Sequence, residues 1–496
     1  MKNKIWVLNP DYAFKNDRDR ICMYSLQKRK FDSSVDWIGF VHPTQAMILS
    51  LFTDMRPASE IISALAARFS IDENVAFSLI EKYMGNSTPV YTEWQGVKVS
   101  FPKNVLIPID DSSVEPDYKF DISDLRCDAI DLQPGRMHRA PHSVLWMLTT
   151  RCATNCKYCY ADRSTPHTPL PTERILELID DFHRLKIGFV DVIGGEILLH
   201  KDWDKIIARL VEKNMEPTYI STKVPLTKEI VERLYATGYR NVVQLSLDSM
   251  DDRTLKATIG VGDGYVERVK NAITLLQEYG YPVQIDTVLT SLNANREEID
   301  ALYDYIKSIK TLTLWEIRVP ELSVYAVASF MEVKADRNQL CEIRDYVKKR
   351  IIPTSEKSIT FSDDALDKKF RCEGPDNECF HGGACGVLHD KVFILPDGKV
   401  SVCEQMYWHK DFIIGDLSSA SIEEVWNSDL AQTIYHSPDS MIRDSSPCKK
   451  CSEFKDCNDR RRRCVVKVIK AYGRENWDYP DPRCKFAPAL INELNY

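Results

Sequence analysis

No stretch of the sequence supplies the roughly twenty consecutive apolar residues that a membrane-spanning helix needs, and Met1 to Pro10 shows no basic segment leading into an apolar one. Neither a membrane partner nor a secreted destination is expected, and the chain is read as cytoplasmic. An excess of positive charge is also missing: 65 Lys and Arg stand against 73 Asp and Glu, a formal net charge of -8. A nucleic-acid partner is therefore not expected, because such a protein neutralises phosphates with a basic face. Compositional bias is absent too, since 44% hydrophobic and 28% charged residues are ordinary for a globular protein and exclude a fibre or a disordered chain.

Cysteine, in contrast, is plentiful. Fifteen of them in a compartment that keeps thiols reduced point to metal ligation rather than disulfides. At 496 residues the chain exceeds one ordinary core, and roughly two to four domains are expected. Residues 4–8, 21–25 and 36–41 read as short strands, and helical periodicity follows over 43–53, 57–69 and 73–84. This pattern suggests a small winged-helix-like module over 1–98. Residues 99–140, rich in proline and acidic residues, read as a linker. Strand and helix then alternate over 141–345, which implies an α/β fold with a parallel sheet, open or closed into a barrel, whose ligands bind at the C-terminal strand ends. After a bridging region at 346–370, residues 371–496 turn cysteine-rich with little periodicity and are read as a metal-organised domain.

Directly after the strand VLWML comes RCATNCKYCY, placing Cys152, Cys156 and Cys159 on a strand-to-helix loop. Three thiolates hold three irons of a cubane cluster and leave the fourth open to a ligand. Zinc is the alternative, but zinc sites usually combine cysteine pairs into four ligands. The spacing, with Tyr158 before the last cysteine, resembles the radical S-adenosylmethionine (SAM) superfamily, whose fold is a partial (β/α)6 TIM-like barrel. That resemblance implies that the open iron chelates SAM and that reductive cleavage yields a 5'-deoxyadenosyl radical. It also implies SAM contacts at Gly194, Gly195 and Glu196 after the strand VDVI, at Ser221 and Thr222 ending PTYIS, and at Ser246 and Asp248 in LSLDS. Helix capping is the plainer account of these Ser and Asp residues. Relatives often carry an arginine a few residues after that Asp; this chain reads TLKATIGVGDG, with Lys256 as the candidate substitute.

Farther on, Cys385, Gly398 and Cys403, then Cys448, Cys451, Cys457, Cys464 and Cys484, resemble the SPASM extension of radical SAM peptide maturases. The likeness implies two auxiliary 4Fe-4S clusters, three in all, one held by Cys379, Cys385, Cys403 and Cys464 and the other by Cys448, Cys451, Cys457 and Cys484. The chain departs from the pattern in the six residues between Cys457 and Cys464, and in having both Cys372 and Cys379 before Cys385. A pair of zinc sites is the alternative. The run Arg460 to Arg463 reads as a solvated or cluster-flanking patch, or as a dock for an acidic partner. Cys22, Cys127 and Cys341 read as buried free thiols.

Residues 1–98 resemble the peptide-recognition domain shared with the pyrroloquinoline quinone biosynthesis chaperone, which binds a leader peptide as an added strand; an oligomerisation or regulatory module is the alternative. The layout, with GGEILLH ending in His200, looks most like the maturases that form thioether crosslinks in a ribosomally made precursor peptide. A reductant such as flavodoxin or ferredoxin is implied as a second partner. Carbon–carbon or carbon–oxygen crosslinking and epimerisation are the rival enzyme readings. A zinc- and peptide-binding module is the non-enzyme one.

Overall fold

A computed structural model describes residues 4–26, 37–53, 55–109, 122–325, 327–363, 366 and 385–492, and divides the chain into two compact units, Met1–Ala140 and Pro141–Tyr496.

In the first unit β1 (Trp6–Leu8) precedes an antiparallel meander of β2 (Tyr12–Asn16), β3 (Ile21–Ser25) and β4 (Ile38–Val41). Three helices follow: α1 (Pro43–Ser50), α2 (Ala58–Phe69) and α3 (Glu73–Ile80). His42 and Asp72 accept backbone N–H groups at the starts of α1 and α3, which fixes where those helices begin. Their apolar faces bury Leu49, Ile61, Leu65 and Ile80 in one core, together with Phe52 from the turn after α1. The boundary expected near residue 98 is not where the unit ends. β5 (Val90–Trp94) and β6 (Val97–Phe101) form a hairpin, and β7 (Leu106–Pro108) pairs with β1, so the expected linker is partly sheet and the unit extends to Ala140. The hairpin turns on Gln95 and Gly96, both at positive φ, a geometry that periodicity does not report.

In the second unit the alternating segments form strands β8 (Ser143–Met147), β9 (Phe189–Ile193), β10 (Tyr219–Thr222), β11 (Val242–Ser246), β12 (Val283–Val288) and β13 (Leu312–Arg318). Helices α4 (Thr172–Arg184), α5 (Trp203–Glu212), α6 (Lys228–Ala236), α7 (Asp252–Ile259), α8 (Tyr265–Glu278) and α9 (Arg296–Ile306) connect them. Each helix turns an apolar stripe inward; α4 buries Ile175, Leu178, Ile179 and Phe182, a helical period. Hydrogen bonding runs in parallel from β8 to β9 and from β10 through β13, and the Asp191 carboxylate accepts the Thr218 N–H at 2.9 Å between the two segments. All six strands therefore end on one side.

Beyond β13 lie α10 (Val327–Val333), α11 (Arg337–Tyr346) and β14 (Ile359–Ser362), the last a parallel strand beside β13. The C-terminal region is less irregular than expected. Its β15 (Lys391–Ile394) pairs in parallel with β8, and β16 (Lys399–Ser401) and β17 (Ile413–Asp416) extend that sheet antiparallel. Short strands of three or four residues carry too little alternation to be read from sequence. Gly398 turns the chain between β15 and β16 at φ +86, where a Cβ would press on Leu170 and the Ser418 nitrogen. Helices α12 (Ile422–Trp426), α13 (Asp429–His436), α14 (Phe454–Asp459) and α15 (Val465–Tyr472) complete the unit. Among the described residues no helix is long and apolar enough to cross a membrane.

Candidate active site and the cysteine-lined cavities

Cys152, Cys156 and Cys159 lie on the loop between β8 and α4, and all three line one cavity of about 400 Å³ at the C-terminal ends of the parallel strands. The Thr154 hydroxyl lies between two of them, 3.4 Å from the Cys152 sulfur and 3.3 Å from that of Cys156. Backbone bonds hold the loop from both sides. Asn155 and Lys157 donate to the carbonyls of Ile259 and Thr258, both at 2.9 Å, while the Gly195 and Glu196 N–H groups donate to Thr149 and Arg151 at 2.8 and 2.7 Å. The glycine pair after β9 allows this close approach: a Cβ on Gly195 would lie 2.4 Å from the Arg151 carbonyl oxygen.

Gly194, Gly195, Glu196, Ser221, Thr222 and Ser246 line the same cavity, as does Tyr158. Asp248 stands behind it, buried, with its carboxylate accepting the Val288 N–H at 2.9 Å and the Tyr158 hydroxyl. His200 accepts the Asp202 N–H at 3.2 Å through Nδ1, an architectural contact at the start of α5. Lys256, the expected cation, is exposed and 4.0 Å from Asp263, away from the cavity wall. Arg163, Arg318 and Lys470 line it, and so does Lys223, directly after Thr222, which sequence reasoning passes over and which alone of these approaches Asp248. Its ammonium donates to the Tyr158 oxygen at 3.1 Å and lies 3.6 Å from the Asp248 carboxylate. Burial alone would lower the Lys223 ammonium, but the Asp248 carboxylate holds it above its ordinary value. Its place at the end of a parallel strand, next to two residues already singled out, is the available signal.

Glu196 is almost wholly buried. Burial pushes its carboxyl up to about 7, against hydrogen bonds from the Lys223 N–H at 3.1 Å and the Thr222 hydroxyl at 3.0 Å. An acid raised from 4.5 to about 7 stabilises the fold fully below its unfolded value and loses that contribution as pH rises through about 7. Between pH 5 and 8 the cluster-free protein is expected to lose about 3 kcal/mol from this group, and Glu196→Gln to be flatter over that range. Calorimetric melting at several pH values checks it; parallel profiles for the two proteins would contradict it.

The C-terminal cysteines gather around two further cavities. One, of about 120 Å³, is lined by Cys385, Cys403 and Cys464, and the other, of about 410 Å³, by Cys448, Cys451, Cys457 and Cys484; Cys448 and Cys457 also reach the first. Cys372 and Cys379 lie outside the described residues. Burial pushes the Cys403 thiol up to about 12 and the Cys448 thiol up to about 11, and raises Cys457, Cys464 and Cys484. Such thiols ionise when a cationic group enters to take their charge. Among the described residues no three His, Cys, Asp or Glu side chains converge as a single-ion site would require.

Comparison with known proteins agrees with this geometry. Residues 146–306 match the radical SAM superfamily, and residues 385–458 match the iron-sulfur cluster-binding SPASM domain. The chain carries a radical SAM domain and a SPASM domain. It is 23% identical to the PqqA peptide cyclase of Granulibacter bethesdensis, over 70% of this chain and 88% of the relative, and 25% identical to the mycofactocin maturase MftC of Mycobacterium tuberculosis, over 71% and 86%. The crystal structure of Streptococcus suis SuiB bound to its precursor peptide SuiA superposes with a TM-score of 0.59 at 16% identity, covering 97% of this chain and 99% of that one.

The radical SAM enzyme's cofactors are SAM and 4Fe-4S clusters, auxiliary clusters among them in the SPASM domain. The residues present fit both. A loop with three cysteines leaves one iron of a cubane free, and the adjoining cavity offers hydroxyl, amide and carboxyl groups from three strand ends.

Proposed function

We propose that this protein modifies a ribosomally made precursor peptide, forming a thioether between a cysteine sulfur and a peptide carbon. Cys152, Cys156 and Cys159 hold the cluster that binds SAM, and Gly194 to Glu196, Ser221, Thr222, Ser246 and Tyr158 surround the bound cofactor. Asp248 acts from behind, orienting Tyr158 and balancing Lys223. When bound and reduced, the cluster with SAM supplies a radical that abstracts a hydrogen from the peptide. Cys385, Cys403, Cys464 and Cys379 hold one auxiliary cluster, and Cys448, Cys451, Cys457 and Cys484 the other.

One observation carries the oxidative reading. Gln405 lines the SAM cavity and Cys403, two residues earlier, lines the first auxiliary cavity, so one short segment borders both the proposed radical site and the proposed acceptor. Closing a C–S bond between a carbon radical and the substrate thiolate, whose proton passes to solvent, releases one electron, and an acceptor in the neighbouring cavity takes it up. Support for a peptide substrate comes from the first unit, where an antiparallel meander is followed by three helices, the third of which exposes Val75 and Leu79, features that suit docking of a leader peptide. The setting is cytoplasmic, with a flavodoxin or ferredoxin as reductant.

A carbon–carbon link is the second reading, favoured by likeness to a peptide cyclase over most of its length. Incubation of reconstituted enzyme, reductant and SAM with candidate cysteine-containing precursor peptides separates the two. A thioether lowers the mass by a hydrogen pair and blocks one thiol to iodoacetamide; the same mass loss with every thiol still alkylated rejects it. Unchanged mass with deuterium taken up from heavy water identifies an epimerase and rejects both.

A further inference from the structure

The reaction proposed above assigns no role to the basic run Arg460 to Arg463, whose side chains diverge in the fold. Arg460 lies on the surface, paired with Asp456 at 2.8 Å. Arg461 lines the first auxiliary cavity, Arg462 the second, and Arg463 both. The backbone explains this distribution. The run leaves α14, which carries Cys457, and ends at Cys464 before α15, so it straps a cysteine of one cavity to a cysteine of the other. Arg461 adopts a left-handed conformation at φ +52, and the next N–H, of Arg462, returns to the Cys457 carbonyl at 3.0 Å. Successive side chains are thereby sent to different sides.

The guanidinium groups are fixed in place. Arg461 donates through Nε to the Cys385 carbonyl at 2.8 Å and packs over the Tyr435 ring, its Cζ 4.5 Å from the centroid. Arg463 donates through Nη1 to the Asp478 carbonyl at 2.9 Å. Among the described residues no carboxylate pairs with either, so their positive charge is left to act on the cavities. Arg462 approaches Asp456 at 3.5 Å, and that carboxylate is already engaged by Arg460. Other charges around the second cavity are balanced locally, Asp481 by Arg483 at 2.8 Å and Glu453 by Lys485 at 2.7 Å.

We propose that Arg463 is a shared electrostatic control on both auxiliary clusters, and that Arg461 and Arg462 each act on one. The proposal rests on the reading that these cavities hold clusters. Reduction adds negative charge to a cluster, so a fixed cation at its wall stabilises the reduced form and raises the reduction potential, an effect that weakens with distance. A cation common to both moves the two potentials together and preserves the difference between them; the private ones set that difference. The run is thus a positioning device for charge.

The test is an EPR-monitored redox titration of the reconstituted full chain, with Cys152, Cys156 and Cys159 changed to Ala so that only the auxiliary clusters are seen. Iron and sulfide are measured first: absence of auxiliary iron in that parent protein refutes the cluster reading itself. With iron in place, Arg461→Gln is expected to move one midpoint to more negative potential, Arg462→Gln the other, and Arg463→Gln both, while Arg463→Lys restores most of the shift. If Arg463→Gln moves neither midpoint, or only one, at the parent's iron content, the proposal is overturned. Should Arg463→Gln lose iron, Arg463→Lys decides: equal loss leaves a purely structural role and overturns it, whereas full iron with near-parental midpoints supports it.

Discussion

Replacing Gly195 with alanine is expected to abolish SAM cleavage and to remove about four irons per chain, with the C-terminal clusters retained. The added Cβ would lie 2.4 Å from the Arg151 carbonyl oxygen and 2.6 Å from that of Thr150. Both are backbone atoms of the cysteine loop, so no side chain can swing aside to make room. Relief requires the loop to withdraw, and withdrawal breaks the bonds from the Gly195 and Glu196 N–H groups to Thr149 and Arg151. Two backbone bonds at about 1 kcal/mol each and an overpacking term of about 1–3 kcal/mol suffice to displace a loop that must hold three sulfurs in register. Iron content, SAM cleavage and the melting temperature check this together. A variant with full iron and normal cleavage would show that the glycines do not seat the loop.

Lys223→Met is expected to destabilise the barrel by about 3–5 kcal/mol, because it leaves the Asp248 carboxylate buried without its cation. Asp248 is 1% exposed, and its other partners, the Tyr158 hydroxyl and the Val288 N–H, stabilise the charge without cancelling it. Adding Asp248→Asn to Lys223→Met should restore most of the loss, since the amide keeps the shape and discards the charge. Differential scanning calorimetry of the four proteins completes the cycle. Equal melting temperatures for wild type and Lys223→Met would mean that solvent already screens the pair.

The same two residues mark how far the sequence can be read. The cysteine loop, the glycine pair after β9 and the polar strand ends are legible because a parallel α/β repeat brings its loops to one edge wherever they stand in the chain. The choice of cation fails because Lys256 is near Asp248 only in sequence. In three dimensions the relevant neighbour is the adjoining strand end, where Lys223 sits, while Lys256 projects from α7 into solvent. Burial is likewise invisible in the sequence: Asp248 is expected at the cofactor and stands behind Tyr158 instead. In the C-terminal domain the described cysteines that the SPASM likeness groups together line two cavities, but β15 is not legible, because its pairing with β8 spans some 250 residues that no local pattern connects. Nor can the arginine run be assigned, since its meaning depends on the left-handed turn at Arg461.

The central claim is that three cysteine sets in one chain hold three separable clusters, and iron and sulfide per chain after anaerobic reconstitution tests it most directly. About twelve irons in the wild-type protein, falling to about eight when Cys152, Cys156 and Cys159 are all changed to Ala, is the predicted result. About four irons falling to none would contradict it, and the auxiliary acceptor on which the oxidative crosslinking depends would be lost with it.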